Sequence, residues 1–348
     1  MPGPGRRYHA TMAALALVLV ASVLLGVGLG AVSVPPGTVL RLAAWKLHLA
    51  GRPHVSYGTE VIVFQLRLPR VLLGAVVGVG LAVAGTLFQG LFRNPMADPA
   101  VIGVSSGAAL GAIVVIVAGG AGVLGGLGVA GAAFVGALAV AFLVYRLARV
   151  GPTVHVVTLL LAGIAVAAVI SGLMSLVMSF SGQEIRNIYF WLLGGLSARG
   201  WGALQVVTPI VAAGTGLAFL LGADLNVLAL GEERAAQLGV EVERSKRLAM
   251  AVGSLLAAAA VSVSGVIGFV GLMTPHLLRL VVGADHRRLL PAVVLAGPSI
   301  LILADLASRV AIAPEELPVG AVTAVLGGPF FLFLLRRERR GARAGAPV

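Results

Sequence analysis

Residues 71–92 carry no charged side chain. As an α-helix, 22 residues rising about 1.5 Å each span roughly 33 Å, enough to cross the hydrocarbon core of a bilayer. Arg67 and Arg70 frame the run on one side. On the other lies the turn Arg93-Asn94-Pro95-Met96-Ala97-Asp98-Pro99, after which apolar sequence resumes. The two prolines cannot continue a helix and disfavour helix in the residues before them. The stretch therefore predicts a membrane helix, a tight polar turn and a second membrane helix.

The rest of the chain repeats that pattern. Of its 348 residues, 59% are hydrophobic and 11% charged, where a soluble domain carries about 25% charged residues. No water-soluble fold hides this much apolar surface. Apolar runs occur at about 10–34, 71–92, 100–119, 122–145, 154–180, 203–222, 248–270, 272–283, 290–312 and 317–335. The expected fold is an all-α polytopic membrane protein of ten transmembrane helices. The first run is longer than a signal-peptide core and is read as a retained helix. The run at 272–283 is short and holds Pro275, His276 and Arg279. Such a broken segment belongs against protein or a cavity, not against lipid.

Ten crossings put both termini on one side. Taking that side as cytoplasmic, seventeen of the 25 basic residues fall inside and eight outside, the asymmetry expected of membrane proteins. Residues 1–9 then form a cytoplasmic tail, 10–337 the membrane domain and 338–348 a basic cytoplasmic tail. Between runs, 39–49 has apolar residues at helical spacing and reads as an interfacial helix. The aromatics of 181–202 read as interface anchors, with substrate contact as the alternative. The segment 224–247 is the longest polar stretch inside the chain. Within it Gly231 and Gly239 bracket a short helix with Glu232 and Glu233 at its start, where the helix dipole favours negative charge. A structured polar hairpin of this kind reads as a docking surface, with an ordinary solvated loop as the alternative.

Several functions are excluded. The two lysines, Lys46 and Lys246, follow Trp45 and Ser245, so neither completes a Gly-Lys-Ser/Thr phosphate loop. The six histidines form no metal-binding pair at i, i+4, and there is no cysteine for a thiolate or disulfide. No metal site is therefore expected. The net charge of +12 does not interleave with aromatics in a basic stripe, so nucleic acid is not an expected partner. Asp305 and Arg309 sit four apart and could pair along one helix face. No series of acidic residues lies at mid-membrane depth. An ATP-independent secondary carrier would usually need one, and a membrane receptor or scaffold is a further alternative. A faint inverted echo relates Arg67-x-x-Arg70 and its following run to Arg244-x-x-Arg247 and its own, a transporter habit.

The motifs RLPR at 67–70, AGTLFQGLFRNPMADPAVIGVSSGAALGA at 84–112, LLLAGIA at 159–165, FWLLGG at 190–195, LALGEERAAQLGV at 228–240, SGVIGFVGLMTPHLLRL at 264–280, DHRRLLP at 285–291 and ELPVGAVTAVLGGPFFLFLL at 316–335 together resemble one family. It is the permease family of ABC importers for iron–siderophore complexes, haem and cobalamin. The resemblance covers about residues 10–337 and implies a type II ABC importer permease fold and a transport subunit, not an enzyme. It implies a homodimer with two separate ATPase subunits, which carry ATP and magnesium, and a periplasmic substrate-binding protein above. It places the complex in the inner membrane. By resemblance, Arg67, Arg70 and Arg309 face acidic side chains of the binding protein. Gly231, Glu232, Arg234, Gln237, Leu238 and Gly239 form the helix that sits in a cleft of the ATPase. Asn94, Pro95 and Met96, with His155, Val156 and Val157, form a cytoplasmic gate. The cobalamin branch has small hydroxyl residues where this chain has His155 and two valines, a bulkier closure. His155 is expected to sit structurally at a helix end, with haem ligation as the alternative. The expected cargo is a ferric siderophore, then haem, then cobalamin.

Overall fold

The computed structural model describes residues 4–120, 122, 127–151, 153–197 and 199–344. It is helical almost throughout. Helix α1 (Pro4–Gly28) is followed by a short α2 (Pro36–Lys46) and α3 (Tyr57–Val61). A π-helical turn, Ile62–Arg67, leads without a break into α4 (Leu68–Leu91). Then come α5 (Val104–Val117), α6 (Leu127–Ala148), α7 (Val156–Ser179), α8 (Ile185–Leu192) and α9 (Gly200–Leu228). The series ends with α10 (Glu232–Gln237), α11 (Val242–Ser264), α12 (Val270–Val282), α13 (His286–Val310) and α14 (Val319–Ala344). A two-residue antiparallel pair, β1 (Arg149–Val150) with β2 (Thr153–Val154), links α6 to α7.

Seven of these helices are long and apolar enough to cross a membrane, and three shorter apolar helices, Val104–Val117, Val270–Val282 and Val319–Phe333, bring the described set to the expected ten. The boundaries shift at both ends. Helix α1 begins inside residues 1–9, and α14 runs on into residues 338–348. The hairpin at 224–247 shrinks to a loop carrying α10, because α9 and α11 extend into it.

The stretch that dominates the sequence also occupies the centre of the fold. Helix α4 packs against α9, α11, α12 and α13, and Leu73, Val77, Ala84, Leu87 and Phe88 along it are fully buried. Small residues let the backbones approach closely, the usual route to helix packing in a membrane. A Cβ on Gly78 would lie 2.6 Å from the carbonyl oxygen of Gly297 on α13. At Gly85 the carbonyl of Gly271 on α12 occupies the Cβ position itself. Helices α1 and α7 lie at the periphery, and α7 leaves Val157, Leu161, Ile164 and Leu176 uncovered.

The broken span behaves as expected. An extended link, 265–269, replaces helix ahead of α12, and Thr274, Pro275 and His276 are buried against protein. Arg279 donates to Oε1 of Gln89 on α4, while Nε2 of Gln89 donates 3.0 Å to the carbonyl of Leu272. Helices α4 and α11 are each followed by a short apolar helix, of 14 and 13 residues, a structural counterpart of the inverted echo.

Candidate functional site

Two groups of side chains at opposite ends of the helices carry the polar chemistry. The first lies where α1 ends and α4 begins. Helix α1 leaves carbonyls without intrahelical partners at its C-terminus, and two arginines from distant sequence take them. Arg67 donates to the carbonyls of Val27 (3.0 Å), Gly28 (2.9 Å) and Val32. Arg309 donates to those of Gly26 (2.8 Å) and Leu29 (3.0 Å). Arg309 Nε also pairs with Asp305 at 3.1 Å, the i,i+4 contact foreseen in the sequence. Asp305 is 2% exposed and receives Arg70 as well, at 2.9 Å. Arg70 reaches on to Glu316 at 2.8 Å, and Ser197 donates to the same carboxylate at 2.8 Å. Partial burial would raise the Glu316 carboxyl, but the hydrogen bonds from Arg70 and Ser197 outweigh it and hold the group below the usual glutamate range. The three arginines named in the sequence thus converge. They border a common cleft with Ile62, Leu66 and Glu316, and their guanidinium groups are engaged inward. That capping role escaped the sequence reading, because it joins residues up to 283 positions apart.

The second group lies on the face that carries both termini. Gly231 (φ 110°) and Gly239 (φ 84°) adopt backbone conformations that side chains disfavour, so each turns the chain sharply and together they set off α10 as a knob. Ala235 is fully buried beneath it, and the amide of Val240 closes back on the carbonyl of Ala235 at 3.0 Å. Arg234, Gln237 and Leu238 point outward, with Leu238 65% exposed. Glu232, at the start of α10, pairs with Lys246 of α11 at 3.1 Å.

A cleft beside α10 is lined by Arg93, residues 153–158, Glu232, Glu243 and Lys246. His155 caps α7 with its backbone only, and its side chain is exposed, as is that of Val157. Asn94 closes its own turn by accepting the amide of Met96 at 2.9 Å. Pro95 and Met96 lie against Leu272, Met273, His276, Phe330 and Phe331 of α12 and α14. Arg93 of the first turn lines that cleft with the 153–158 segment. Among the described residues no three His, Asp or Glu side chains converge as a metal cage would require.

The sequence matches the model of a family described as the FecCD transport family over residues 17–337. It is 48% identical over 282 residues to a cobalamin import system permease protein of Halobacterium salinarum, covering 81% of this chain and 75% of that one. It is 44% identical over 278 residues to a hemin transport system permease protein of Yersinia pestis, covering 79% and 83%. Its fold superposes on a solved structure described as an inward-facing conformation of a metal-chelate type ABC transporter, with a TM-score of 0.81 and 30% identity, covering 94% of this chain and 98% of that chain.

Proposed function

The chain belongs to the FecCD transport family, as an ABC importer permease, and on that premise we propose that two copies enclose the path by which a metal chelate is moved inward at the expense of ATP. In this reading ATP and magnesium are bound by two separate ATPase subunits that dock on the face carrying α10, which lies in the cytoplasm with both termini. The complex spans the cytoplasmic membrane, and a substrate-binding protein delivers the chelate to the opposite face, at the cleft bordered by Arg67, Arg70 and Arg309. The observation that carries the reading is α10 itself: a short helix seated on α9 and α11 through the buried Ala235, with Leu238 exposed at its end. A membrane protein has no reason to fix such a knob in water unless something receives it. The uncovered side of α7 suits contact with a second copy.

The family resemblance put a ferric siderophore first among cargoes. The named relatives act on cobalamin and hemin, which supports a macrocyclic metal chelate at least as well. A secondary carrier finds no support in the buried acid: Asp305 is the buried carboxylate of its span and both its oxygens are taken up by two arginines.

Uptake decides the cargo. Cells lacking the gene are offered labelled cobalamin, haemin and a ferric hydroxamate side by side, and loss of one class, restored by the gene, is the expected result. Equal uptake of all three without the gene would remove this reading of the cargo. Docking is tested with Leu238→Glu, which puts a charge at the centre of the proposed contact. A buried anchor of this kind contributes about 2 kcal/mol or more, so affinity for the ATPase should fall about 30-fold. Unchanged co-purification of the ATPase would refute the docking assignment.

A further inference from the structure

We infer that Lys246 and Glu243 are positioning residues that couple α10 to the entrance of α7, so that force received by the knob is delivered to the segment 153–158. The inference rests on the reading of α10 as the ATPase-docking helix and adds the path by which docking is felt elsewhere.

Three elements distant in sequence meet at one ammonium group. Lys246 sits in the second turn of α11 and is 5% exposed. Its Nζ lies 3.1 Å from Glu232 Oε2 on α10 and 2.8 Å from Glu243 Oε1 one turn back. The other oxygen of Glu243, Oε2, accepts the backbone N–H of Val154 at 3.1 Å. Val154 closes β2, and the next residue, His155, is the N-cap of α7. The connection therefore runs from α10 through Lys246 and Glu243 to the backbone just before the N-cap of α7.

The chemistry suits transmission better than simple stabilisation. An ammonium has three donors and no acceptor, so it can hold two carboxylates at once. Burying it is costly unless it is paired, so the two carboxylates cannot drift away from it freely. Exposed pairs would not be held this way; Arg244 and Glu241, three apart on the solvent side, make such a pair. At its far end the connection grips a main-chain amide, not a side chain, so any shift of Glu243 displaces the backbone that starts α7. Arg93 lines the same cleft and adds positive charge beside the two carboxylates.

The test uses the whole transporter, with ATPase and binding protein, in proteoliposomes offered cobalamin, haemin and a ferric hydroxamate in parallel. Two quantities are read: chelate moved per ATP hydrolysed, and hydrogen exchange at the Val154 amide. Lys246→Met should lower transport per ATP about tenfold, the scale of a typical coupling between linked sites. It should also speed exchange at Val154. Lys246→Arg, which keeps the charge, should restore most of both. Glu243→Ala should reproduce the loss, and combining it with Lys246→Met should add little, because both break one path.

Unchanged transport per ATP in an assembled Lys246→Met complex would overturn the inference. So would a loss that Lys246→Arg does not repair, or additive effects in the double variant. If Lys246→Met does not assemble, Glu243→Gln decides. It keeps an oxygen for Val154 but loses the charge that holds Lys246, so slow exchange at Val154 with reduced transport per ATP is expected, and full transport per ATP overturns the inference. A wild-type complex that hydrolyses ATP but moves none of the probes would count against the proposed function. The exchange measurement needs neither cargo nor ATPase and would still decide the linkage.

Discussion

Replacing Gly85 by valine is expected to prevent the helices from packing and to leave little folded protein. At this position α4 meets α12, and the carbonyl of Gly271 stands where a Cβ would go. Overpacking a core usually costs about 1–3 kcal/mol, because side chains can rotate away. Here the obstructing atoms belong to the backbone of α12, and α12 is held by its own contacts. Gly271 faces the carbonyl of Leu81 at 2.8 Å from its Cβ position, and Gln89 bonds the carbonyl of Leu272. Moving α12 outward would break these as well, so the cost should exceed about 3 kcal/mol. Gly216→Val on α9 serves as the control, since nothing lies within 4 Å of its Cβ position. The measurement is the yield of monodisperse protein in detergent and its thermal midpoint. A Gly85→Val protein as abundant and as stable as the Gly216→Val control would show that the two backbones are not in this close contact.

The same helix pair shows what a sequence can and cannot reveal. The span containing Gly85 is written in hydropathy, which is local and needs no knowledge of neighbours, so all ten spans were legible. So were the knob between Gly231 and Gly239, the Asp305–Arg309 pair and the burial of α12. Each rests on spacing within one segment. The partners of Arg67 and Arg309 were not legible. By resemblance they read as charges facing a binding protein, and nothing in the sequence showed that they also hold the end of α1. Nothing local marks a carbonyl as unsatisfied until the fold shows where its helix stops. Lys246 was hidden for a related reason. Its pairing with Glu243 lies within one helix, but its contact with Glu232 and that of Glu243 with Val154 depend on how two loops fold back. The π-helical turn at Ile62–Arg67 was missed because one extra residue per turn leaves no trace in an apolar pattern.

Asp305→Asn is expected to destabilise the protein by about 3–5 kcal/mol, the cost of removing one member of a buried ion pair. Asp305 holds two guanidinium groups, with Arg70 at 2.9 Å and Arg309 at 3.1 Å. The amide keeps the shape of the carboxylate and loses its charge, so two positive groups are left facing each other. Arg70 retains Glu316, whereas Arg309 makes no second ion pair among the described residues and keeps the carbonyls of Gly26 and Leu29. Replacing a whole buried ion pair by apolar residues is often neutral, so Asp305→Asn combined with Arg309→Met would recover stability if charge were all that mattered. We expect it not to recover. The second change exposes the carbonyls at the end of α1, and a buried acceptor left without a partner costs about 1–3 kcal/mol. Thermal midpoints of the two variants separate the roles. A double variant as stable as the natural protein would mean that Arg309 serves only as a counter-ion. A double variant no better than Asp305→Asn would mean that its hold on α1 is as important as its charge.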